Sequence, residues 1–225
     1  SMAAIDNFGF FADNDGNLMC IDLVSMKPRW VSNNFDDTDA SIVVDEEKNG
    51  YFLYVGNEVD KRGDHAASSL RKIDAKTGEE VWHVDRLCYG SQIMEKTNSG
   101  GMLATPAMGK HRGSDLVVGI YSRTNKLNKS ELVAVDKYTG KERYSFELDA
   151  YSWASPVDFY DEKGNMYLFF TDVWGTIYLM NGCTGDLIYK EKTKYIFESS
   201  PVIIGDRIII GARGTSILSF KIRTK

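Results

Sequence analysis

A short motif recurs four times along the chain in a constant frame, and this periodicity restricts the fold more than any other feature. Each copy has an apolar residue followed by Asp or Asn, and an aromatic residue stands eight positions after that Asp or Asn. The four pairs are Asp22 with Trp30, Asp74 with Trp82, Asp136 with Tyr144, and Asn181 with Tyr189. Self-similarity of this kind is typical of architectures in which each repeat is one supersecondary unit.

Three of the copies also contain Thr-Gly between these two positions, as Thr77-Gly78, Thr139-Gly140 and Thr184-Gly185. The first copy has Ser25-Met26 there instead. Glycine adopts positive φ without a steric cost, and an Asp side chain can accept hydrogen bonds from the free amides of a tight turn. The motif therefore predicts a hairpin turn, followed by a strand whose aromatic residue packs between adjacent repeats.

A second series of small residues marks the start of each unit. It comprises Ala40-Ser41-Ile42, Ala104-Thr105-Pro106, Ala154-Ser155-Pro156 and Ser199-Ser200-Pro201. Short β-type runs separated by turn residues lie between the two series, and a complete unit has four of them joined by hairpins. The last unit has only the first three runs.

Four strands per unit, repeated about every 40 to 60 residues, predict an all-β chain folded as a β-propeller of about five four-stranded blades. The last blade lacks its outer strand, so we expect a small, open or partial ring. The chain is predicted to be one domain, with blades at residues 1–35, 36–87, 100–149, 150–194 and 195–225. Because an incomplete blade leaves backbone groups unpaired, either the C-terminal strand docks on the first unit or the edges self-associate between chains.

Two copies of the motif resemble the repeat of the PQQ-like (quinoprotein-type) β-propellers, namely Ile73-Asp74-Ala75-Lys76-Thr77-Gly78-Glu79-Glu80-Val81-Trp82 and Val135-Asp136-Lys137-Tyr138-Thr139-Gly140-Lys141. This family includes quinoprotein alcohol dehydrogenases and the outer-membrane assembly scaffold BamB. The resemblance covers essentially the whole chain. The structural motif residues are Asp22, Trp30, Asp74, Gly78, Trp82, Asp136, Gly140, Tyr144, Gly185 and Tyr189. WD40 propellers are the rival family, but the sequence contains no Trp-Asp or Gly-His dipeptide.

The resemblance leaves the activity open. For a quinoprotein dehydrogenase it implies a calcium-bound quinone in the central funnel, with ligands from several blades and a disulfide between adjacent cysteines. The three cysteines of this chain, Cys20, Cys88 and Cys183, are far apart in the sequence. We therefore expect a non-catalytic binding or scaffold domain for a protein or polymer, with no cofactor and no metal. A quinone- and calcium-dependent dehydrogenase and a carbohydrate-binding propeller are the alternatives.

The segment before each innermost strand of a propeller borders the central funnel. One group of residues is therefore expected to gather at one end of the axis, namely Asp37, Asp39, Tyr151, Trp153, Phe197 and Glu198. Aromatic side chains beside carboxylates on a concave rim can stack on a sugar or hold a peptide. The acidic run at 36–39 is also a metal candidate, but a solvated loop is the simpler interpretation. The insertion after Trp82, including residues 89–90 and 98–101, and the segment 60–68 are further candidate recognition loops.

Charge and hydropathy exclude several classes of partner. The chain has 27 basic and 32 acidic residues and a net charge of −5, with no run of more than two basic residues, which disfavours nucleic acid. Its apolar runs are far shorter than the roughly 18–20 residues of a transmembrane helix. Ser1 and Met2 have no feature of a signal peptide, so this end of the chain does not indicate a compartment. The family resemblance implies an extracellular, cell-surface or periplasmic location within a larger bacterial protein.

Overall fold

The chain consists almost entirely of β-strands and tight turns, in a computed structural model that describes residues 1–33, 36–63, 65–90 and 99–223. Within these ranges the one helical segment is a 3₁₀ turn at His111–Gly113. The same ranges contain no helix that combines the length and the apolarity needed to cross a membrane. The strands form five antiparallel sheets that follow one another along the chain.

The first two sheets each have four strands in up-and-down order. The first contains β1 (Ala3–Ile5), β2 (Phe8–Ala12), β3 (Asn17–Asp22) and β4 (Lys27–Asn33). The second contains β5 (Val43–Glu47), β6 (Gly50–Gly56), β8 (His65–Asp74) and β9 (Glu80–Tyr89). The two-residue strand β7 (Glu58–Val59) follows β6 in the chain but joins the third sheet.

The third sheet departs from the four-strand pattern that the repeat predicts. Its strands are β10 (Gly100–Gly101), β11 (Ala107–Met108), β12 (Leu116–Ser122), β13 (Ser130–Asp136) and β14 (Glu142–Leu148). Both β10 and β11 pair with β12, and β7 pairs with the far side of β10. The sheet therefore has six strands. Two of them, β7 and β10, extend it towards the second sheet.

The fourth and fifth sheets differ by one outer strand. The fourth contains β15 (Val157–Tyr160), β16 (Met166–Thr171), β17 (Thr176–Asn181) and β18 (Leu187–Lys192). The fifth contains β19 (Val202–Ile204), β20 (Arg207–Ala212) and β21 (Ser216–Lys221). Among the described strands β21 pairs with β20 alone, so it does not pair with the first unit, which is one of the two arrangements that the sequence left open.

Each of the first four sheets has the same turn between its third and fourth strands. The Oδ1 atom of the motif Asp or Asn accepts hydrogen bonds of 2.8–3.2 Å from the amides two and three residues later. The fifth residue of each turn has positive φ, with values of 54° at Met26, 77° at Gly78, 70° at Gly140 and 80° at Gly185. The local chemistry predicted from the motif is therefore what forms the turns.

The motif aromatic of one sheet packs on the turn of the next sheet. Trp30 Nε1 donates to Ala75 O at 3.1 Å, Trp82 Nε1 donates to Lys137 O at 3.1 Å, and the Tyr144 hydroxyl donates to Gly182 O at 2.6 Å. Each ring also covers the turn glycine, since a Cβ there would lie 2.6–2.9 Å from a ring carbon. The aromatic residues therefore fix the spacing of successive sheets.

Tyr189 differs from the prediction that every motif aromatic packs between repeats. Its side chain is 49% exposed, and its hydroxyl donates to the Glu191 carboxylate of the same strand. The described part of the fifth sheet ends after its third strand, so it offers no matching turn. In the first sheet the corresponding turn is uncovered, and Val24 and Met26 are exposed.

The hydroxyl residues of the second series link the units in succession. The amide of Ser41 donates to Thr105 Oγ1 at 3.0 Å, that of Thr105 to Ser155 Oγ at 3.0 Å, and that of Ser155 to Ser200 Oγ at 2.9 Å. The Ser1 hydroxyl bonds to the Ser41 hydroxyl. These residues precede the first strands of their sheets, so the ladder ties those strands together.

Apolar cores lie between successive sheets. Among the described residues four buried clusters join the first sheet to the second, the second to the third, the third to the fourth and the fourth to the fifth. Cross-strand pairing places Val202, Ile209 and Ile217 on the opposite face of the fifth sheet from its core, and Val202 and Ile217 are exposed there. The five sheets thus form an arc with four internal interfaces.

Candidate functional site

All six residues predicted for the funnel rim lie at one end of the sheets. Because the strands alternate in direction, the connectors between sheets and the turns between second and third strands share this end. Three backbone hydrogen bonds of 2.9 Å join these connectors and turns, from Val173 to Tyr151, Thr193 to Gly175 and Arg213 to Ile196. We call this end of the molecule the loop face.

Two aromatic residues and one cation pack together before the fourth sheet. The rings of Tyr151 and Trp153 lie 5.1 Å apart, and the Arg123 guanidinium carbon lies 4.3 Å from the centre of the Tyr151 ring. Arg123 is buried, and burial lowers the pKa of its guanidinium. Trp153 Nε1 and Arg123 Nε are buried donors that have no hydrogen-bond partner among the described residues. A cation over an aromatic face is attractive, and more so where water is excluded.

The turn between β16 and β17 presents a second indole beside this group. Trp174 is 49% exposed. The buried Asp172 carboxylate fixes the turn, since it accepts hydrogen bonds of 2.9 Å from the Thr176 amide and the Tyr178 hydroxyl. A rigid turn presents a side chain with little loss of conformational entropy on binding. The fixed turn therefore holds the backbone of the exposed Trp174 in place on the loop face.

The connector to the fifth sheet completes an apolar patch. Ile196 is 41% exposed, and the ring of Tyr195 lies 6.5 Å from that of Phe197. A Cβ at Gly175 would collide with Tyr195 O, so the Trp174 turn rests directly on this connector. We call the combined patch the aromatic loop surface, and it consists of Tyr151, Trp153, Trp174, Tyr195 and Ile196.

Phe197 and Glu198, which were predicted to lie on the funnel rim, do not take part in this patch. Phe197 is 1% exposed and belongs to the core between the fourth and fifth sheets. Glu198 lies at the surface, 3.5 Å from Arg213. The predicted rim did not include Arg123, Trp174, Tyr195 or Ile196. No motif marks Arg123 or Ile196, whereas Trp174 is visible in the sequence as an indole in a turn.

Asp37 and Asp39 lie elsewhere on the loop face, next to Glu58 of β7. One carboxylate oxygen of each of these three residues lies within 4.8 Å of the others. Burial, together with the charges of Asp39 and Asp37, raises the pKa of Glu58 to about 8, and burial likewise raises the pKa of Asp37. Sequence analysis identified the two aspartates but missed Glu58, which has no motif around it.

Two further candidate loops are described in part. Ser99 to Gly101 of the insertion after Trp82 are described, and Gly100–Gly101 form β10, whereas Asn98 lies outside the described residues. Tyr89 ends β9, and its ring stacks on that of His65 at 4.6 Å. In the segment 60–68, Asp64 also lies outside the described residues.

A groove of about 560 Å³ lies at the opposite end, between the first and second sheets. Its apolar wall includes Phe8, Phe10 and Tyr51, and its charged rim includes Arg29 and Asp74. Arg29 is paired with Asp22 at 3.2 Å, and Asp74 holds the amides of its own turn. The polar groups of this groove thus already serve the repeat motif.

Solved structures share the arrangement of repeated sheets over most of this chain. BamB from Moraxella catarrhalis superposes with a TM-score of 0.64 at 14% identity, over 98% of this chain and 57% of that one. A europium-containing methanol dehydrogenase gives 0.64 at 14% identity, over 85% and 41%. The chain has the PQQ-like β-propeller fold. The quinohemoprotein alcohol dehydrogenase from Comamonas testosteroni also matches this propeller, with a TM-score of 0.64 at 13% identity over 98% and 41%.

The predicted fold, an all-β propeller of PQQ-like repeats, is therefore confirmed. No family model and no curated protein matches the sequence itself. This PQQ-like propeller spans between 41% and 57% of the length of those three solved chains. They include dehydrogenases as well as BamB, so the shared fold by itself does not assign an activity.

Proposed function

We propose that this PQQ-like propeller is a non-catalytic binding domain that holds a protein partner on its aromatic loop surface. The observation that carries the proposal is the grouping of Tyr151, Trp153, Trp174, Tyr195 and Ile196 around one rigid turn. Tyr, Trp and Arg are the residue types enriched at protein interfaces and among their energetic hot spots. Contiguous exposed apolar surface is itself a marker of interaction sites.

The charges around this surface support a protein rather than a nucleic acid. The buried Arg123 stacks on Tyr151 beneath the aromatic loop surface, while Glu198 and Arg213 form an ion pair at the edge of that surface. A polar rim around an aromatic centre is the usual anatomy of a protein interface. The net charge of −5 makes the surface unsuited to a polyanion.

The alternative of a quinoprotein dehydrogenase fits the described residues poorly. Cys20, Cys88 and Cys183 are separate free thiols, so no pair of them can form the disulfide of adjacent cysteines that the family resemblance implies. The described carboxylates that converge on the loop face come from two places only, the connector before the second sheet and β7 of the third sheet. We therefore derive no step through a quinone.

The proposal includes an extracytoplasmic role as part of a larger bacterial protein, which rests on the family resemblance.

The proposal also includes self-association through the open edge of the fifth sheet. Val202 and Ile217 are exposed on the outer face of the fifth sheet, and β21 pairs on one side only among the described strands. Such edges pair readily with other strands. Light scattering over a concentration series should then give a mass that rises with concentration, and Ile217→Lys should suppress that rise.

Site-specific photo-crosslinking in the native host tests the binding role. A photoreactive residue in place of Trp174 should trap one discrete protein, and one in place of Tyr189, an exposed aromatic outside the surface, should not. The trapped protein is then purified and titrated by calorimetry. Trp174→Ala should weaken the affinity at least tenfold, since interface Trp residues often contribute more than about 1.4 kcal/mol. An unchanged affinity would refute the assignment of this surface.

Two outcomes would replace the proposal by its alternatives. Oxidation of alcohols by the purified protein with added quinone and calcium would establish an enzyme. Binding on a glycan array that Trp174→Ala and Trp153→Phe abolish, without any trapped protein, would establish carbohydrate recognition on the same surface.

A further inference from the structure

Two segments that are separate in the sequence bring three carboxylates together. Asp37 and Asp39 belong to the connector before β5, and Glu58 belongs to β7. The Glu58 amide donates to Asp37 O at 2.8 Å, and Glu58 pairs with Gly101 across the β7–β10 ladder. One carboxylate oxygen of each acidic residue lies within 4.8 Å of the other two. The backbone therefore fixes the positions from which these three groups converge.

Two of the converging groups have a buried oxygen without a hydrogen-bond partner among the described residues. Glu58 is 3% exposed, and its Oε1 has no such partner in this part of the chain, although its Oε2 accepts from the Ser99 hydroxyl. Asp37 Oδ1 is likewise buried without a partner among the described residues. A buried carboxylate oxygen is costly unless it is hydrogen-bonded, paired with a cation or bound to a metal. This observation is independent of the clustering and indicates a missing positive group.

The positive and donor groups nearby are used elsewhere. The Lys61 ammonium bonds to Asp15 Oδ1 at 2.7 Å and to Asn14 O. The backbone amides of Asp60 and Lys61 both donate to the Asp36 carboxylate, at 3.2 and 3.1 Å. Within the described residues, none of the ion pairs involves Asp37, Asp39 or Glu58. The protein thus holds Asp36 satisfied, whereas no described ion pair gives the three converging carboxylates a positive partner.

The electrostatic consequence agrees with this geometry. Burial, with contributions from the charges of Asp39 and Asp37, raises the pKa of Glu58 to about 8. Burial also raises the pKa of Asp37, with a contribution from Asp39 and Asp60. Like charges held close together in a site with little water are stable when a cation lies between them.

We propose that Asp37, Asp39 and Glu58 bind a hard divalent cation, with Ca²⁺ preferred. All three donors are carboxylate oxygens, which suit Ca²⁺ and Mg²⁺ rather than softer metals. Mg²⁺ requires near-ideal octahedral geometry and gives up its water reluctantly, whereas Ca²⁺ tolerates irregular sets of oxygens. Ser99 serves as the supporting group, because its hydroxyl orients the Glu58 carboxylate.

The cation has a structural role in this position. It joins the connector in front of the second sheet to the β7–β10 ladder, which links the second and third sheets. Binding to the folded state alone stabilises that state by mass action. The site does not depend on a partner for the aromatic loop surface, so the two proposals succeed or fail separately.

Calorimetry and thermal unfolding of the chelator-treated chain with CaCl₂, and separately with MgCl₂, test the site. CaCl₂ should give saturable heat with one equivalent and a rise in Tm, with at least tenfold weaker binding of Mg²⁺. Glu58→Gln and Asp39→Asn should each weaken Ca²⁺ binding at least tenfold. Glu46→Gln, at an exposed acidic residue of β5 outside the cluster, should leave it unchanged.

A second readout separates loss of the site from loss of the fold. Without Ca²⁺, Glu58→Gln should be at least as stable as the unsubstituted chain, because a neutral amide avoids the cost of a buried carboxylate beside Asp37 and Asp39. Absence of heat and of a Tm shift with CaCl₂ would overturn the proposal. So would an equal Ca²⁺ response in Glu58→Gln, Asp39→Asn and Glu46→Gln, because it would indicate nonspecific binding.

Discussion

The indole of Trp82 lies directly on Gly140 of the following sheet, where a Cβ would come within 2.9 Å of the ring. Residue 140 also has a φ of 70°, which side chains other than glycine rarely adopt. The glycine therefore satisfies two constraints, one from the turn and one from the neighbouring sheet. Met26 occupies the equivalent position of the first sheet, where no described ring covers the turn.

Gly140→Ala should lower the free energy of unfolding by about 3 kcal/mol, the sum of the backbone strain and the steric conflict with Trp82. Gly205→Ala is the matched control. Its φ is 58°, and nothing lies within 4 Å of an added Cβ, so only the backbone cost of about 1 kcal/mol applies. Urea denaturation of both variants measures the difference. Equal losses would mean that the indole contact does not restrict residue 140.

Trp82→Ala and Tyr189→Ala compare a docked motif aromatic with an undocked one. Trp82 donates to Lys137 O and covers a turn, whereas Tyr189 is half exposed. We expect a loss of about 3 kcal/mol for Trp82→Ala and less than about 0.5 kcal/mol for Tyr189→Ala. Thermal and urea unfolding should rank them in this order. A large loss at Tyr189 would show that this ring is covered in solution.

Ser155→Ala should interrupt the hydroxyl ladder between the third and fifth sheets. The Thr105 amide would lose its acceptor at 3.0 Å, at a cost of about 1 kcal/mol. Ser155→Thr keeps the hydroxyl and should retain most of the stability. Ser145→Ala, at an exposed position of β14, is the control for the change of residue type. Hydrogen exchange at the Thr105 amide should accelerate in Ser155→Ala only.

Asp136→Asn should reduce the loss of stability in acid. Burial alone would raise the pKa of Asp136, but hydrogen bonds from Arg143 and Thr139 outweigh it and hold the pKa below 3.8. A carboxyl group with a lowered folded-state pKa stabilises the fold above its unfolded pKa, and this contribution is lost as the pH falls through the folded pKa. Unfolding free energies measured from about pH 5 to pH 2 should therefore decline less steeply in Asp136→Asn.

The fourth turn offers the reverse substitution as a control. Asn181 already holds the amides of Cys183 and Thr184 through its Oδ1, so the amide side chain supports the same turn. Asn181→Asp should keep that turn and make the free energy of unfolding fall more steeply as the pH is lowered. If both variants followed the pH profile of the unsubstituted chain, these turns would contribute nothing to it.

The candidate site could be predicted only in part, for a reason visible at particular residues. Tyr151, Trp153 and Phe197 lie in connectors before the first strands of their sheets, and this much follows from the repeat, which fixes where connectors lie. The same position did not reveal that Phe197 is 1% exposed, since its burial depends on the fifth sheet packing against the fourth. Connector position is a local property, and burial is not.

The sequence by itself determined the repeating unit. Side-chain capping by Asp or Asn, glycine at positive φ and the spacing to the aromatic residue are short-range properties, so they can be read from consecutive residues. The tertiary structure alone decided which groups meet across units. Glu58 approaches Asp37 and Asp39 because β7, which follows β6 of the second sheet in the chain, pairs with β10 of the third sheet. Trp174 lies near Tyr151 because its turn rests between two connectors. Such contacts depend on the packing of whole sheets, which no local pattern encodes.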